Sequence, residues 1–207
     1  MRAGRRIEIR VATEADGPVL AEIERNAPLQ LGDSSFVIDR GGDYFAAARL
    51  MEDATVLLGS VDGEPAGVFC GALHEAMVGG QPRRMYYVHH ARILPQFQRS
   101  GLGRAFTGRL GDIYRDRSDS DYWYISPQNA RSQAFAAAAT NKWSFGPFMV
   151  TLPASENAGP PAGRPATEHD AGRIVEMLNA FHEGEEMYLP YTADRLRSRV
   201  CRAPRQY

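Results

Sequence analysis

The chain has 207 residues, of which 43% are hydrophobic and 24% charged, and its formal net charge at pH 7 is −1. This length suits one full domain and a smaller piece, and the near-neutral charge argues against a nucleic-acid-binding protein, which is usually basic. No apolar run approaches the roughly 20 residues of a membrane span, and the basic N-terminus lacks the apolar core of a secretory signal. The only cysteines, Cys70 and Cys201, are too far apart to suggest a disulfide framework, so we expect a cytoplasmic protein without nucleic-acid or membrane partners.

A strand and a capped helix open the chain. Residues 7–11 alternate apolar and charged side chains, which is typical of a strand. Thr13 and Asp16 have the spacing of a capping box, and an apolar helical stripe follows them. Residues 28–43 contain several glycines and are predicted to form a loop, and residues 44–51 to form a short helix.

Three further strands are predicted to form an antiparallel meander over residues 55–61, 66–73 and 84–93. Asp62-Gly63 separates the first two strands and is a standard hairpin signal, and Gly79-Gly80 makes the next turn.

A helix–strand–helix arrangement follows this meander. The first helix ends near residue 117 and places four apolar side chains on one face: Leu102, Phe106, Leu110 and Ile113. A strand at 122–125 is expected to pair in parallel with the third strand of the meander, because a long crossover connects them. A helix at 129–140 and strand-like residues at 143–152 complete an α/β (α+β) fold, with a mixed, mostly antiparallel sheet flanked by helices.

The connection between the third meander strand and the next helix is the most informative segment, with the sequence Gln98-Arg99-Ser100-Gly101-Leu102-Gly103-Arg104. The first amides of a helix have no partner within the helix and carry the positive end of its dipole, so they bind anions such as phosphate. Gly101 and Gly103 allow close approach of a ligand, and Arg99 and Arg104 add positive charge. The alternative interpretation is a plain turn that uses glycine for its geometry.

A repeated opening follows a linker. Residues 153–165 are rich in proline, glycine and alanine, as linkers are. After them, residues 164–170 repeat the pattern of residues 10–16, and an apolar helix follows each copy. We therefore predict a complete domain at 1–152 and, at 166–207, a partial second copy with a first strand and two helices. So short a segment buries little core by itself, so it docks on the first domain, pairs with a second chain in a homodimer, or is partly mobile.

In this order of elements the chain resembles the Gcn5-related N-acetyltransferase (GNAT) superfamily, in a tandem form with a truncated second domain. The family's Gln/Arg-x-x-Gly-x-Gly/Ala loop is matched at 98–103, and Ile93-Leu94-Pro95 is similar to its Val-x-Pro. Asn129, Ala134 and Phe135 resemble its Asn-x-x-Ala-x-x-Phe region, with the spacing off by about one.

The resemblance implies a fold, a co-substrate and an activity. The co-substrate would be acetyl-CoA or another acyl-CoA, and the acceptor a primary amine of a small molecule or protein. The main-chain amides of Arg99, Ser100, Gly101, Leu102, Gly103 and Arg104 would hold the pyrophosphate, beside Gln98. The main chain of Ile93 and Leu94 would pair with the pantetheine arm, which Asn129 would also contact. We expect no metal cofactor, because His182-Glu183-Gly184-Glu185-Glu186 lacks the second histidine of a zinc-protease helix.

The catalytic residues depart from the family pattern. A glutamate on the long strand is often the family's base; the corresponding position here is His89, and an imidazole suits proton removal near neutral pH. His90, expected on the opposite face, is the alternative, and a third reading leaves both histidines structural. Ala136 occupies the position of the family's acidic tyrosine, so Tyr124, Ser126 or water would protonate the leaving thiolate.

Three functions remain open at this point. The first is an N-acetyltransferase that uses acetyl-CoA. The second is a non-catalytic acyl-CoA-binding or interaction module, and the third is one half of a tandem enzyme whose working site lies in the other half.

Overall fold

A five-stranded sheet forms the centre of this computed structural model, which describes residues 5–31, 34–139, 164 and 166–202. The strands are β1 (Ile7–Val11), β2 (Leu29–Leu31), β3 (Ser34–Phe36), β4 (Glu52–Val61), β5 (Glu64–Val78), β6 (Gln81–Ile93) and β7 (Ser120–Trp123). The main sheet has the order β1-β4-β5-β6-β7. Its pairs are antiparallel except β6–β7, which is parallel, so the predicted mixed sheet and its crossover are confirmed.

The first three of the five helices that the structure describes flank this sheet, and the last two belong to the C-terminal segment. The helices are α1 (Gly17–Asn26), α2 (Leu102–Tyr114), α3 (Ala130–Ala139), α4 (Ala171–Phe181) and α5 (Ala193–Arg202). None of the helices within the described ranges combines the length and the hydrophobicity that crossing a bilayer requires. The predicted strand at 143–152 and nearly all of the linker lie outside the described residues.

Two-residue turns join the three long strands, as predicted. Asp62 and Gly63 have φ values of 55° and 88°, and Gly79 and Gly80 have values of 61° and 71°. Two consecutive residues with positive φ give the turn whose twist matches that of the flanking strands. The strands are longer than predicted, because pairing across each hairpin continues to its turn.

The region between α1 and β4 differs from the prediction. Residues 28–43, predicted as a loop, contain β2 and β3, which pair as a small antiparallel sheet. The helix predicted at 44–51 is wrong: turns lead into a single 3-10 turn at Ala48–Leu50. A short helix is stable only when tertiary contacts offset the cost of its nucleation. Here the side chains of Tyr44 and Ala46 are buried from a turn instead.

Each face of the sheet carries its own core. On one face, the predicted α2 stripe packs on the sheet, with Leu102, Phe106 and Leu110 fully buried. The other face packs against α1, through Leu20 and Ile23. Functional side chains on β6 therefore belong to the α2 face or to the α1 face.

The repeated opening has the same local geometry in both copies. Thr13 and Thr167 have backbone angles within 2° of each other and each forms a capping box. Arg10 forms a two-pronged ion pair with Asp16, and Arg164 forms the same pair with Asp170. The two capping motifs thus share one local geometry. The predicted first strand of the second copy lies largely outside the described residues.

The C-terminal segment contacts the first domain. Met77 of β5 exchanges main-chain hydrogen bonds with Met187 (2.7 Å) and Tyr188 (2.9 Å). The carboxylate of Glu186 accepts the Gly79 N–H at 2.9 Å. The segment therefore contacts the end of the β5–β6 hairpin. Its docking as a unit and its identity as a truncated second copy stay predictions.

Candidate functional site

The glycine loop lies between β6 and α2, where the sequence places it. Arg99 and Gly101 have positive φ values of 63° and 95°, and Gly101 is the N-cap of α2. Two left-handed residues turn the chain sharply, and at Gly101 the absence of Cβ makes this conformation inexpensive. The loop therefore directs the start of α2 toward the end of β6.

Two main-chain donors at this helix start have no acceptor within the helix. The first intrahelical hydrogen bond runs from the Ala105 N–H to the Gly101 carbonyl at 3.1 Å, and the Leu102 N–H donates to Ser100 Oγ at 3.3 Å. The amides of Gly103 and Arg104 therefore have no carbonyl acceptor within the helix. The exposed side chain of Arg104 adds a guanidinium, so this end of α2 has the charge and the donors of an anion site.

The strands β6 and β7 part beside this loop. Their pairing runs from Met85–Ser120 to Val88–Trp123 and stops there. β6 continues to Ile93, and within the described ranges no strand pairs with its last five residues on that side. The result is a wedge between the two strands, which opens toward the start of α2.

The residues predicted to line this wedge already have internal partners. The Leu94 N–H donates to the Ala66 carbonyl and the Leu94 carbonyl accepts the Phe97 N–H, both at 2.9 Å. The Ile93 carbonyl accepts from Gln98 Nε2 at 3.4 Å. The main-chain groups of Leu94 are thus already hydrogen-bonded within the protein, and the Gln98 side chain links the loop to the end of β6.

Asn129 acts as a helix cap in this structure. Its Oδ1 accepts the Ser132 N–H at 3.0 Å, which satisfies one of the unpaired donors at the start of α3. Arg131 on the same helix contacts the Gln98 side chain. The two elements that flank the wedge are therefore tied together across its mouth.

A β-bulge in β6 places two histidines on one face. The register passes from Cys70–His89 to Val68–Arg92, so two residues of β6 oppose one of β5. His90 lies in this bulge with a φ of 51°. The prediction that His90 points to the opposite face is wrong, because a bulge interrupts the alternation of side chains. The two imidazoles meet edge to face, 4.5 Å apart.

His89 is buried and only partly satisfied. Its side chain is 8% exposed, Nδ1 contacts His90 Nδ1, and Nε2 has no hydrogen-bond partner among the described residues. Burial, with Arg40 and His74 as further causes, lowers the pKa of His89 to about 4. Burial likewise lowers the pKa of His90 to about 2, with Arg40 the next cause. Both rings are therefore neutral near pH 7.

Aromatic side chains extend from His89 along the same face. Tyr87 stacks between His89 and Tyr122, with ring centroids 4.9 and 5.0 Å away. Tyr124, just past the end of β7, meets Tyr87 edge-on at 5.6 Å and is 52% exposed. Both predicted catalytic residues thus contact the ring of Tyr87. Ala136, at the position of the family's tyrosine, is buried and offers no acid.

A buried ionic cluster beside these rings was missed by the sequence analysis. Glu24 is 1% exposed and accepts two hydrogen bonds from Arg40, at 2.8 and 2.9 Å, while Arg92 lies 3.9 Å away. Cys70 belongs to the same core, and burial raises the pKa of its thiol to about 12. One signal was available: Glu24 follows Ile23 directly in the apolar stripe of α1, where a carboxylate requires a partner.

Comparisons with known proteins identify the fold. No family model matches the chain, and neither does any curated protein. Among solved structures, similarity extends to a putative acetyltransferase from Agrobacterium tumefaciens, with 16% identity over 70% of this chain and 99% of that one and a TM-score of 0.55. An acetyltransferase from Trypanosoma brucei matches with 17% identity over 71% and 100% of the chains and a TM-score of 0.54. The aminoglycoside N-acetyltransferase AAC(6')-Iy, solved with CoA, matches with 14% identity over 73% and 98% and a TM-score of 0.55.

These similarities are to GNAT-type acetyltransferases, and the fold class predicted from the sequence is confirmed. At such low sequence identity, the structural similarity supports only the fold. The assignment of an activity rests on the residues of the wedge.

Proposed function

We propose that this protein is an N-acetyltransferase that moves an acetyl group from acetyl-CoA to a primary amine. The observation that carries the proposal is the wedge between β6 and β7, with the start of α2 at its mouth. A diphosphate at the free amides of Gly103 and Arg104 would let the rest of the cofactor run along β6, as an added strand does. One of the similar structures binds CoA, which supports this co-substrate.

The chemistry needs an acceptor for the proton of the amine. His89 is neutral near pH 7 and lies on the strand that lines the wedge. Its Nδ1 contacts Nδ1 of His90, and in the tautomer that we propose the hydrogen of this contact is on His89. When this hydrogen is on His89, its Nε2 carries a lone pair. Because Nε2 is buried and burial lowers the pKa of the ring to about 4, His89 serves as the base only if substrate binding opens access to Nε2 and raises this pKa.

The leaving thiolate needs a proton donor. The hydroxyl of Tyr124 is the proposed donor, because its ring is half exposed and contacts Tyr87, the ring on which His89 stacks. Orientation of the thioester and the amine supplies a large part of the rate in such transfers. The stacked rings hold both candidate residues in one orientation.

A second candidate is a non-catalytic acyl-CoA-binding module. Ala136 favours it, because the position that holds the acid in the family carries a buried methyl group here. The third reading, one half of a tandem enzyme, is favoured by the repeated capping motif. Thiol release from acetyl-CoA with a panel of primary amines separates the enzyme from the module.

The anion site is tested by charge reversal. Arg104→Glu places a carboxylate at the start of α2 and should weaken CoA binding at least about tenfold, since it replaces an attractive charge with a repulsive one. Arg109→Glu is the matched control: it lies on the same helix and is also exposed, but is more than a turn further from the anion site. Equal CoA affinity of the two variants, measured by calorimetry, contradicts the proposed site.

The base is tested separately from the binding site. His89→Ala should lower kcat by about 100-fold, the usual size of a general-base contribution, and leave CoA affinity nearly unchanged. A variant with full turnover removes His89 from the base role while the anion site stands. CoA binding without amine-dependent thiol release in the wild-type protein establishes the module instead.

A further inference from the structure

A cluster of metal-binding side chains lies at the β6 bulge, apart from the anion site. Cys70, His89 and His90 place one ligand atom each within 4.8 Å of one another. Two features of the sheet cause this convergence. Cys70 and His89 are direct partners across the antiparallel β5–β6 pair, so their side chains share a face, and the bulge turns His90 onto that face.

Two buried polar atoms beside this cluster have no partner. His89 Nε2 and the Tyr44 hydroxyl are both buried and lack a hydrogen bond among the described residues. Tyr44 and Cys70 pack in the same core and interact electrostatically. An unpaired buried polar atom costs about 1–3 kcal/mol, so a ligand that contacted either atom would recover part of this cost.

The ligand set is that of a thiophilic metal. Thiolate and imidazole favour Cu+ and Zn2+ over oxygen-loving ions such as Mg2+. Bonds of about 2.0–2.3 Å hold ligand atoms less than about 4.6 Å apart. The three side chains therefore reach a common ion with small rotations.

The surrounding charges favour a cation of single charge. The guanidinium groups of Arg40 and Arg92 and the carboxylate of Glu24 all act on the Cys70 thiol, and together they leave one net positive charge. A singly charged ion that displaces the thiol proton adds no charge to this buried region, whereas Zn2+ adds one. Added charge in a buried region is costly.

We propose that Cys70, His89 and His90 form a binding site for a thiophilic cation of single charge, of which Cu+ is the biological example. The thiol loses its proton to solvent as the metal–sulfur bond forms, with no change of oxidation state. The site is inhibitory in the context of the proposed acetyl transfer. A neutral imidazole bound to metal through one nitrogen carries hydrogen on the other, so His89 then has no lone pair for an amine proton.

Binding is measured without reference to activity. Reduced protein is titrated anaerobically with Cu+ in the presence of bicinchoninate, a coloured competitor. The wild-type protein should withdraw one equivalent of copper, and Cys70→Ser should withdraw none at the same competitor concentration. Cys201→Ser, which removes the other thiol, should behave as the wild type. Equal withdrawal by Cys70→Ser and the wild type overturns the proposal.

A second variant tests the site independently, in case Cys70→Ser does not fold. His90→Asn keeps a residue that tolerates positive φ and should weaken Cu+ binding at least about tenfold, as losses around metal centres do, with an unchanged thermal melt. Zn2+ binding is measured in a parallel titration with a zinc chelator. An affinity for Zn2+ higher than the affinity for Cu+ refutes the charge argument and with it the proposed ion. Undiminished binding by a folded His90→Asn variant also counts against the site.

Inhibition by Cu+ rests on the proposed acetyl transfer and is measured last. One equivalent of Cu+ should abolish thiol release by the wild type and leave Cys70→Ser at its own metal-free rate. If the protein binds copper but the metal-free protein releases no thiol, the proposed acetyl transfer is refuted and the proposed metal site is retained. If the protein releases thiol but binds no copper, the metal site is refuted and the acetyl transfer is retained.

Discussion

The imidazole of His89 stacks on the ring of Tyr87, with 4.9 Å between the ring centroids and 19° between their planes. Adjacent side chains on one face of a strand are two residues apart, so β6 itself sets this contact. Tyr87 is therefore a positioning residue for the proposed base.

Replacement of Tyr87 tests this role. Tyr87→Ala should lower kcat about tenfold, because His89 loses the ring that fixes its orientation, and should leave the KM for acetyl-CoA nearly unchanged. Tyr87→Phe keeps the stacking surface and should restore kcat. Steady-state kinetics of the two variants decide the matter, and a phenylalanine variant as slow as the alanine variant would contradict a purely positional role.

Tyr124 is the proposed proton donor, and the loss of its hydroxyl should slow the reaction. Tyr124→Phe keeps the ring contact with Tyr87 and should lower kcat by about 100-fold, within the usual range for general-acid catalysis. Tyr122→Phe is the matched control, because the Tyr122 hydroxyl contacts His74 and is committed to the fold. Full turnover by Tyr124→Phe would assign protonation of the thiolate to water.

Glu24 holds a buried ion pair, and its removal should destabilise the protein. Glu24→Ala leaves the Arg40 guanidinium, whose side chain is 10% exposed, without its carboxylate, at a cost of about 3–5 kcal/mol. Glu22→Ala on the same helix removes an exposed pair with Arg25 and should cost less than about 1 kcal/mol. Urea denaturation measures both free energies of unfolding, and similar values for the two variants would show that the buried pair is not needed.

Two glycines should respond to alanine in opposite directions. A Cβ at Gly59 would lie 2.5 Å from Phe106 Cζ and 2.8 Å from Leu102 Cδ1, so Gly59→Ala should destabilise the protein by about 1–3 kcal/mol through overpacking. Gly108 lies inside α2, and beyond its chain neighbours and the backbone of its own helix no described atom is within 4 Å of its Cβ position. Gly108→Ala should therefore stabilise the protein by about 0.5–1 kcal/mol, and thermal melts that shift in the same direction for both variants would contradict this packing.

The strand, glycine loop and helix were predictable from the sequence because their causes are local. The two-residue turns depend on residues that accept positive φ. Three of the four predicted apolar side chains of α2 are buried, while Ile113 is only partly buried and Tyr114 takes the fourth buried position. The predicted helix at 44–51 failed because its length is marginal, and tertiary contacts of Tyr44 fixed a turn there instead.

The sequence by itself determined the order of the elements, the sharp turn at Gly101 and the unpaired amides at the start of α2, since each follows from neighbours along the chain. Only the tertiary structure decided that His90 shares a face with His89 and Cys70, and that Glu24 meets Arg40. A bulge depends on how one strand pairs with the next, and a buried ion pair depends on which segments cover it. Both are relationships between residues far apart in sequence, which no local pattern of apolar and polar residues specifies.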